Sequence, residues 1–365
     1  MFEYFRTSHG VLYCGDAYEI LQSLESESID CVVTSPPYWA KRDYGEDVCR
    51  VWGGDPDCQH EWTDKIVIPM RGTAGVGNTG NHSKVIPGQG TKQIRGMFCK
   101  KCGAWYGQLG LEPTFEMYLE HLWMIFDEIY RVLKPTGTCF VNLGDTYFGG
   151  GKGETNGINR AGGIGGEKFK NIKYPPKSLC LIPERFAIGM IERGWILRNV
   201  IIWHKPNAMP ESVKDRFTVD FEYIYFFTKS KKYYFNQIKE PTQAKVIEKR
   251  MFEERRENYD GKYSHIQPKR TMSRNKRTVW SINTKPFKDA HFAVFPPDIP
   301  ETCIKAGCPS DGIVLDPFLG SGTTAIVAEQ LGREWIGIEL KREYCELVKK
   351  RFKDAFGELF AVVRS

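Results

Sequence analysis

The sequence predicts an α/β protein built on a doubly wound, mixed but mainly parallel sheet. Three observations carry that expectation. Short apolar runs alternate with amphipathic stretches of helical spacing near both ends of the chain. Two of those runs, Ile29 to Val33 and Ile313 to Leu315, open into turn-forming segments, Thr34-Ser35-Pro36-Pro37-Tyr38-Trp39 and Asp316-Pro317-Phe318-Leu319-Gly320-Ser321-Gly322-Thr323. A chain of 365 residues is also long enough for one large α/β domain with insertions, or for two domains.

Taken in order, Val11 to Cys14 reads as a strand and Ala17 to Leu24 as a helix. Ile29 to Val33 is a buried strand that delivers Ser35-Pro36-Pro37-Tyr38 at its carboxyl end. Periodicity lapses over 46–110, so that stretch reads as an insertion with its own stabilising device. Thr114 to Leu133 then keeps helical spacing, and Lys134-Pro135-Thr136-Gly137 ends it. Thr138 to Leu143 is a strand, Pro183 to Arg193 a helix stopped by Gly194, and Leu197 to Trp203 a strand. Glu222 to Thr228 and Tyr233 to Phe235 read as an antiparallel hairpin. Ile313 to Leu315 and Trp335 to Leu340 are strands, each followed by a helix, Thr323 to Leu331 and Arg342 to Phe352.

Composition is that of an ordinary globular protein, 41% hydrophobic and 26% charged. No apolar stretch of about 18 residues suggests a membrane span, and Met1 to Gly10 does not read as a signal peptide. A net charge of +6 permits a polyanionic partner without requiring one. Eleven cysteines without an export signal point to a reducing cytoplasm, where paired cysteines suggest metal. Cys31 and Cys139, inside predicted strands, read as small buried hydrophobes.

The loop after Ile313 to Leu315 has the features of a nucleotide-like site. Gly320 and Gly322 allow close backbone approach, and the helix that follows offers unpaired N–H groups. Glu339 ends the next strand, roughly the ~20-residue separation at which an acid reaches ribose hydroxyls. No third glycine and no Gly-Lys-Ser/Thr appears, which argues against a phosphate-gripping loop and fits S-adenosylmethionine, a ligand without phosphates. Together with Ser35-Pro36-Pro37-Tyr38, and in this order, the two motifs resemble the permuted β-type amino-methyltransferases of DNA. The resemblance spans nearly all of the chain outside 46–110. It assigns Asp316 to the cofactor loop, Phe318, Gly320, Gly322 and Thr323 to the methionine end and turn, and Glu339 to the ribose. It matches Asp16 to the adenine side, and His291 to Pro296, with Phe295, to the segment lining the methionine pocket.

The amine site can be argued from its residues. Consecutive prolines cannot continue a strand ladder and remove two donors, which leaves an acceptor-rich turn. An exocyclic amine donates two hydrogen bonds, which a backbone carbonyl and the Ser35 hydroxyl can receive. Tyr38 offers a stacking face for an extruded base. Ser35 is an orienter and proton relay, not an acyl-transfer serine, because no Gly-x-Ser-x-Gly surrounds it. Serine before Pro-Pro-Tyr favours cytosine N4 within the family, with adenine N6 as the alternative.

Cys58-Gln59-His60 and Cys99-Lys100-Lys101-Cys102 supply four ligands for a structural Zn²⁺, with no open position for catalysis. Lys269 to Arg277 carries five basic residues and no acid, within 205–285, where the resemblance places target recognition. Gly149 to Gly166 reads either as a loop ordering over DNA or as a flexible linker.

The organisation expected is therefore a catalytic half over 1–45 and 111–204, a zinc-binding insertion at 46–110, recognition at 205–285 and a cofactor half at 286–365. The function expected is S-adenosylmethionine-dependent methylation of a flipped cytosine in double-stranded DNA, in a prokaryotic or viral host cytoplasm. A cognate restriction endonuclease is the expected companion. Readings left open are adenine N6 or RNA as substrate, a protein glutamine amide, and a non-catalytic zinc-bearing DNA-binding protein.

Overall fold

A computed structural model describes residues 2–64, 66–71, 91–148, 174, 175, 177–241, 273–285 and 295–357. The elements run β1 (Phe2–Arg6), β2 (Gly10–Cys14), α1 (Ala17–Ser23) and β3 (Ile29–Thr34). Next come β4 (Arg50–Trp52), β5 (Ile66–Arg71), β6 (Thr91–Phe98), β7 (Trp105–Gly107), α2 (Phe115–Val132) and β8 (Leu133–Leu143). The middle of the chain holds α3 (Ile182–Glu192), β9 (Ile196–His204), β10 (Phe221–Thr228), β11 (Lys239–Pro241), β12 (Ser273–Asn275) and β13 (Val279–Ser281). Last are α4 (Asp298–Gly307), β14 (Ile313–Asp316), α5 (Thr323–Gln330), β15 (Glu334–Glu339) and α6 (Arg342–Phe356).

Among the described residues, nine strands form one sheet in the order β1-β2-β15-β14-β3-β8-β10-β9-β13. The run from β2 through β15, β14 and β3 to β8 is parallel, while β10 is antiparallel to both β8 and β9. Helices α1, α2 and α3 cover one face and α4, α5 and α6 the other. β3 is buried along its whole length, with Val32 facing the first helix layer and Cys31 and Val33 the second. This is the doubly wound, mainly parallel sheet the sequence predicts. Cys31 and Cys139 are fully buried in it.

Several boundaries differ for identifiable reasons. The expected hairpin does not form: Tyr233 to Phe235 is not a strand, and β10 pairs instead with β8 and β9. The Tyr234 N–H bonds to the Thr136 carbonyl at 2.9 Å, and Tyr233 and Phe235 pack on Phe226, so this stretch lies on β8 and β10 without joining a ladder. β8 begins at Leu133, directly after α2, and passes through Pro135. The register slips between Ile29↔Leu133 and Cys31↔Thr138, so the proline sits in a bulge where its missing N–H breaks no rung. Helix α4 is hidden in sequence by Pro300, which falls in the first turn, where an N–H is not needed.

The insertion carries a four-stranded sheet, β4-β7-β6-β5, and is not without a core. Trp52, Trp105 and Leu109 are buried and join the main apolar cluster around α2. Its tryptophans sandwich His121 of α2, with ring centroids 4.6 Å from Trp52 and 5.6 Å from Trp105. The His121 Nδ1 pairs with Glu112 Oε1 at 3.0 Å. The device that stabilises 46–110 is thus partly the apolar core around α2.

Candidate active site

β3 and β14 lie side by side in the sheet, paired at Val314↔Cys31 and Leu315↔Val32. Their carboxyl ends therefore open together, at the edge where parallel sheets hold ligands. The Thr34 hydroxyl donates to Asp316 Oδ1 at 2.6 Å, tying the two motifs across almost the whole chain length. Asp316 also accepts from the Phe318 N–H at 3.1 Å and, on Oδ2, from the Thr324 hydroxyl at 2.7 Å. Burial pushes its carboxyl up to about 6 against these bonds. Asp316 and Gly322 stand behind the cavity: the aspartate pins the loop, and Gly322 caps α5 at φ +85° against Val348.

A cavity of about 350 Å³ lies between the motifs, within the size range of small-molecule sites. Ser35, Pro36, Pro37 and Tyr38 line one side; Phe318, Gly320, Thr323, Glu339 and Phe295 line the other, with Asp16 at one end. Pro296 is buried beside Phe295, and His291 lies outside the described residues. A Cβ added at Gly320 would meet nothing nearer than the Phe318 carbonyl at 3.9 Å, so open room faces this position. Glu339 accepts the Gly320 N–H on Oε2 and the Lys341 N–H on Oε1, both at 2.8 Å. Burial pushes its carboxyl up to about 7.

On the amine side, the Tyr38 hydroxyl donates to Glu222 Oε2 at 2.8 Å and meets Asn142 Oδ1 at 3.1 Å. Lys205 pairs with the other Glu222 oxygen. The Ser35 hydroxyl stands 3.4 Å from the Tyr38 hydroxyl. Burial, then the Glu222 charge, raises the Tyr38 phenol well above its ordinary value, so it stays a donor. Gly144 lies against the tyrosine: an added Cβ would come within 2.6 Å of the ring. Tyr118 donates to the Pro37 carbonyl at 2.8 Å. Sequence reasoning missed Glu222, Asn142 and Lys205, because no local motif marks them. The available signal was an acid at the start of an otherwise apolar strand, β10.

The four metal candidates converge. Cys58, His60, Cys99 and Cys102 hold their ligand atoms within 4.8 Å of one another. The Cys58 and Cys99 sulfurs are 3.9 Å apart, and Cys102 Sγ lies 3.5 Å from His60 Nδ1. A tetrahedral Zn²⁺ with ordinary bond lengths requires about 3.8 Å and about 3.5 Å for such pairs. Gly103 takes φ +76° and bonds back to the Cys99 carbonyl at 3.0 Å, which closes the knuckle turn.

The basic run is only partly described. Arg274 and Arg277 both pair with Glu240, at 2.8 and 2.9 Å, while 269–272 and the loop 149–166 lie outside the described residues. No described helix is long and apolar enough to cross a membrane.

Residues 29–350 match a family model described as DNA methylase, of the N6/N4 methyltransferases. The chain is 35% identical to the Type II methyltransferase M.SmaI of Serratia marcescens, over 92% of this chain and 88% of that protein. It is 36% identical to the Type II methyltransferase M.Cfr9I of Citrobacter freundii, over 97% and 90%. Among solved structures, the PvuII DNA methyltransferase (cytosine-N4-specific) aligns with TM-score 0.55 at 20% identity, covering 96% of this chain and 88% of that one. Protein TTHA0409 of Thermus thermophilus, complexed with S-adenosyl-L-methionine, aligns with TM-score 0.51 at 21% identity, covering 96% and 95%. At these identities the two structures speak for the fold.

Proposed function

The chain belongs to the N6/N4 DNA methylase family, and we propose that it transfers a methyl group from S-adenosylmethionine to the N4 amine of a cytosine turned out of double-stranded DNA. One observation carries the reading: Ser35-Pro36-Pro37-Tyr38 and the Gly320–Glu339 side line the same cavity. The cofactor supplies an electrophilic methyl on a positively charged sulfur. Glu339 is suited to the ribose hydroxyls, the open room at Gly320 to close backbone approach, and Phe318, Thr323 and Phe295 to the methionine end.

The amine nitrogen is held by the Ser35 hydroxyl and a carbonyl of the proline turn, which draw on its hydrogens and free its lone pair. Positioning then does most of the work. As the new carbon–nitrogen bond forms, the nitrogen sheds one proton. Ser35 Oγ takes it up and passes its own toward Tyr38, and Tyr38 toward Glu222, the acceptor held in place by Lys205. Extrusion of the base is part of this reading, since the amine is inaccessible inside a duplex.

Serine at position 35 supports cytosine N4, as does the printed specificity of the PvuII enzyme. The residue ranges given above for catalytic, recognition and cofactor regions are carried as part of this proposal. So are a structural Zn²⁺ on Cys58, His60, Cys99 and Cys102, a cytoplasmic setting, and a companion restriction endonuclease suggested by the Type II relatives. The decisive experiment incubates the protein with labelled S-adenosylmethionine and mixed-sequence DNA, then hydrolyses the DNA to nucleosides. Label in N4-methylcytosine is expected. Label in N6-methyladenine would move the substrate to adenine, and no label would make the protein a binding module. Elemental analysis is expected to find about one zinc per chain.

A further inference from the structure

The insertion supplies a wall of the cavity. Val48, Arg50, Trp52 and Gln108 all line it, beside Asp16. Asp16 caps α1, and its Oδ1 accepts both the Glu19 N–H at 3.1 Å and the Arg50 Nη1. Oδ2 of Asp16 has no hydrogen bond among the described residues. The Arg50 guanidinium stacks on Trp52, 4.4 Å from its ring centroid, and lies 5.2 Å from that of Tyr18. Such a cation, flanked by two rings and bonded to a carboxylate, has little freedom left. Both arginine and aspartate side chains are less than one fifth exposed.

The arginine is itself held by what surrounds β4. The Trp52 indole N–H donates to the Gly107 carbonyl at 3.0 Å, and β4 pairs with β7 from Arg50↔Gly107 to Trp52↔Trp105. Cys58 and His60 follow β4 within eight residues of its end, and Cys99 and Cys102 precede β7. The candidate metal site therefore closes the open ends of the two strands that carry Arg50 and its support. Gly54, at the turn out of β4, packs so tightly on the knuckle that an added Cβ would lie 2.9 Å from Cys102 Sγ.

We propose that the metal-bearing insertion is part of the cofactor site, with Arg50 as a positioning residue. Arg50 and the α1 cap occupy Oδ1 of Asp16 and leave Oδ2 as an acceptor on the cavity wall for the exocyclic amine of the adenine. The metal keeps β4 in register with β7 and so keeps Arg50 on Asp16. This inference rests on the donor and zinc readings above, and its test separates them.

The full chain is titrated calorimetrically with S-adenosylhomocysteine, and separately with a fluorescent duplex. Arg50→Ala is expected to weaken the nucleoside ligand about ten- to a hundredfold, the size of a lost bond to a charged group. Arg50→Lys should recover part of that loss. Adenosine should lose its ability to compete in Arg50→Ala, while duplex affinity and zinc content stay unchanged. Chelation, or Cys102→Ser, should reproduce the nucleoside defect and add little to it in the Arg50→Ala background. An unchanged nucleoside affinity in Arg50→Ala, or a loss of duplex affinity alone on chelation, overturns the proposal. A chain purified without zinc removes the metal half, and the Arg50 titrations then judge the wall by themselves. If wild type binds no S-adenosylhomocysteine at all, it is the donor reading that fails.

Discussion

The two sides of the cavity are built by opposite strategies. The centre of the cofactor side is nearly contiguous, with Asp316 to Thr323 and Glu339 coming from two neighbouring strands and the loop between one of them and its helix, while Asp16, Arg50 and Phe295 reach it from elsewhere in the chain. Its Asp316 and Glu339 carboxylates are satisfied mostly by loop N–H groups and Thr324, with Thr34 donating to Asp316 from the neighbouring strand end. The amine side is assembled from four strands. Ser35 and Tyr38 follow β3, Asn142 sits on β8, Lys205 follows β9 and Glu222 is the second residue of β10. A side made of one turn can be recognised from its own spacing, whereas a side made of a meeting point depends on sheet order. The comparison also separates the roles. On the proposed reading, backbone groups and buried carboxylates hold the donor away from its reacting methyl, while side-chain hydroxyls and a paired acid face the atom where protons move.

The largest expected effect breaks the amine side alone. Tyr38→Ala removes the stacking face and the hydroxyl between Glu222 and Asn142, and should lower methyl transfer by about a hundredfold or more. Ser35→Ala should fall in the same range. Cofactor affinity should remain within about twofold of wild type for both, since neither touches Glu339 or the Gly320 turn. Glu222→Gln tests the proton path: single-turnover rates should fall with duplex affinity retained. Loss of cofactor binding in Tyr38→Ala and Ser35→Ala together would mean the two sides are not separable.

A smaller effect is expected where the two sides join. Thr34→Val removes the hydroxyl that donates to Asp316 Oδ1, with little change in shape. The aspartate is only 3% exposed, so one of its bonds is lost without water to replace it. Denaturant unfolding should show a loss of about 1–3 kcal/mol, and both cofactor affinity and transfer rate should suffer. Thr324→Val removes the Oδ2 partner, lies further from the proline turn, and should spare the transfer rate more than Thr34→Val does.

The same contrast explains what could be read in the chain before its fold was known. The parallel core was legible because its strands carry apolar runs and most of the helices that follow keep their period, α5 being buried almost all round instead; Gly194 stops its helix with positive φ as expected, and Gly332 does the same. The Cys/His cluster was legible because its four ligands, three cysteines and a histidine, sit at short, regular spacing. Glu222 was not, since a lone acid beside Phe221 and Tyr223 has no spacing to betray it. Arg50 was equally silent: its meaning comes from lying on Asp16, across the junction of insertion and domain. The Tyr233 to Phe235 stretch misled because a short aromatic run marks a chain packed on a sheet whether or not it pairs with it.

The smallest effect concerns the cofactor side and turns on a proton. Burial lifts the Glu339 carboxyl from near 4.5 to about 7. A carboxyl whose folded value lies above its unfolded one favours the fold at low pH. That contribution is lost as pH rises from about 4.5 to about 7, and is gone above. Ligand binding runs the other way. Ribose hydroxyls need an acceptor, and protonation takes one from the carboxyl, so binding should favour the ionised form and release a proton below pH 7. Nucleoside affinity measured by calorimetry should therefore weaken by up to about tenfold for each pH unit below 7. Repeating the titration in buffers of different ionisation enthalpy should reveal the released proton. Glu339→Gln keeps one acceptor, cannot titrate, and should bind more weakly at pH 8 with much of the slope removed. Asp316, which titrates near 6 behind the cavity, would leave a shallower residual slope at lower pH. A slope that survives Glu339→Gln at full strength above pH 6 would transfer the effect from Glu339 to another group, and would end the assignment of this carboxylate as the ribose acceptor.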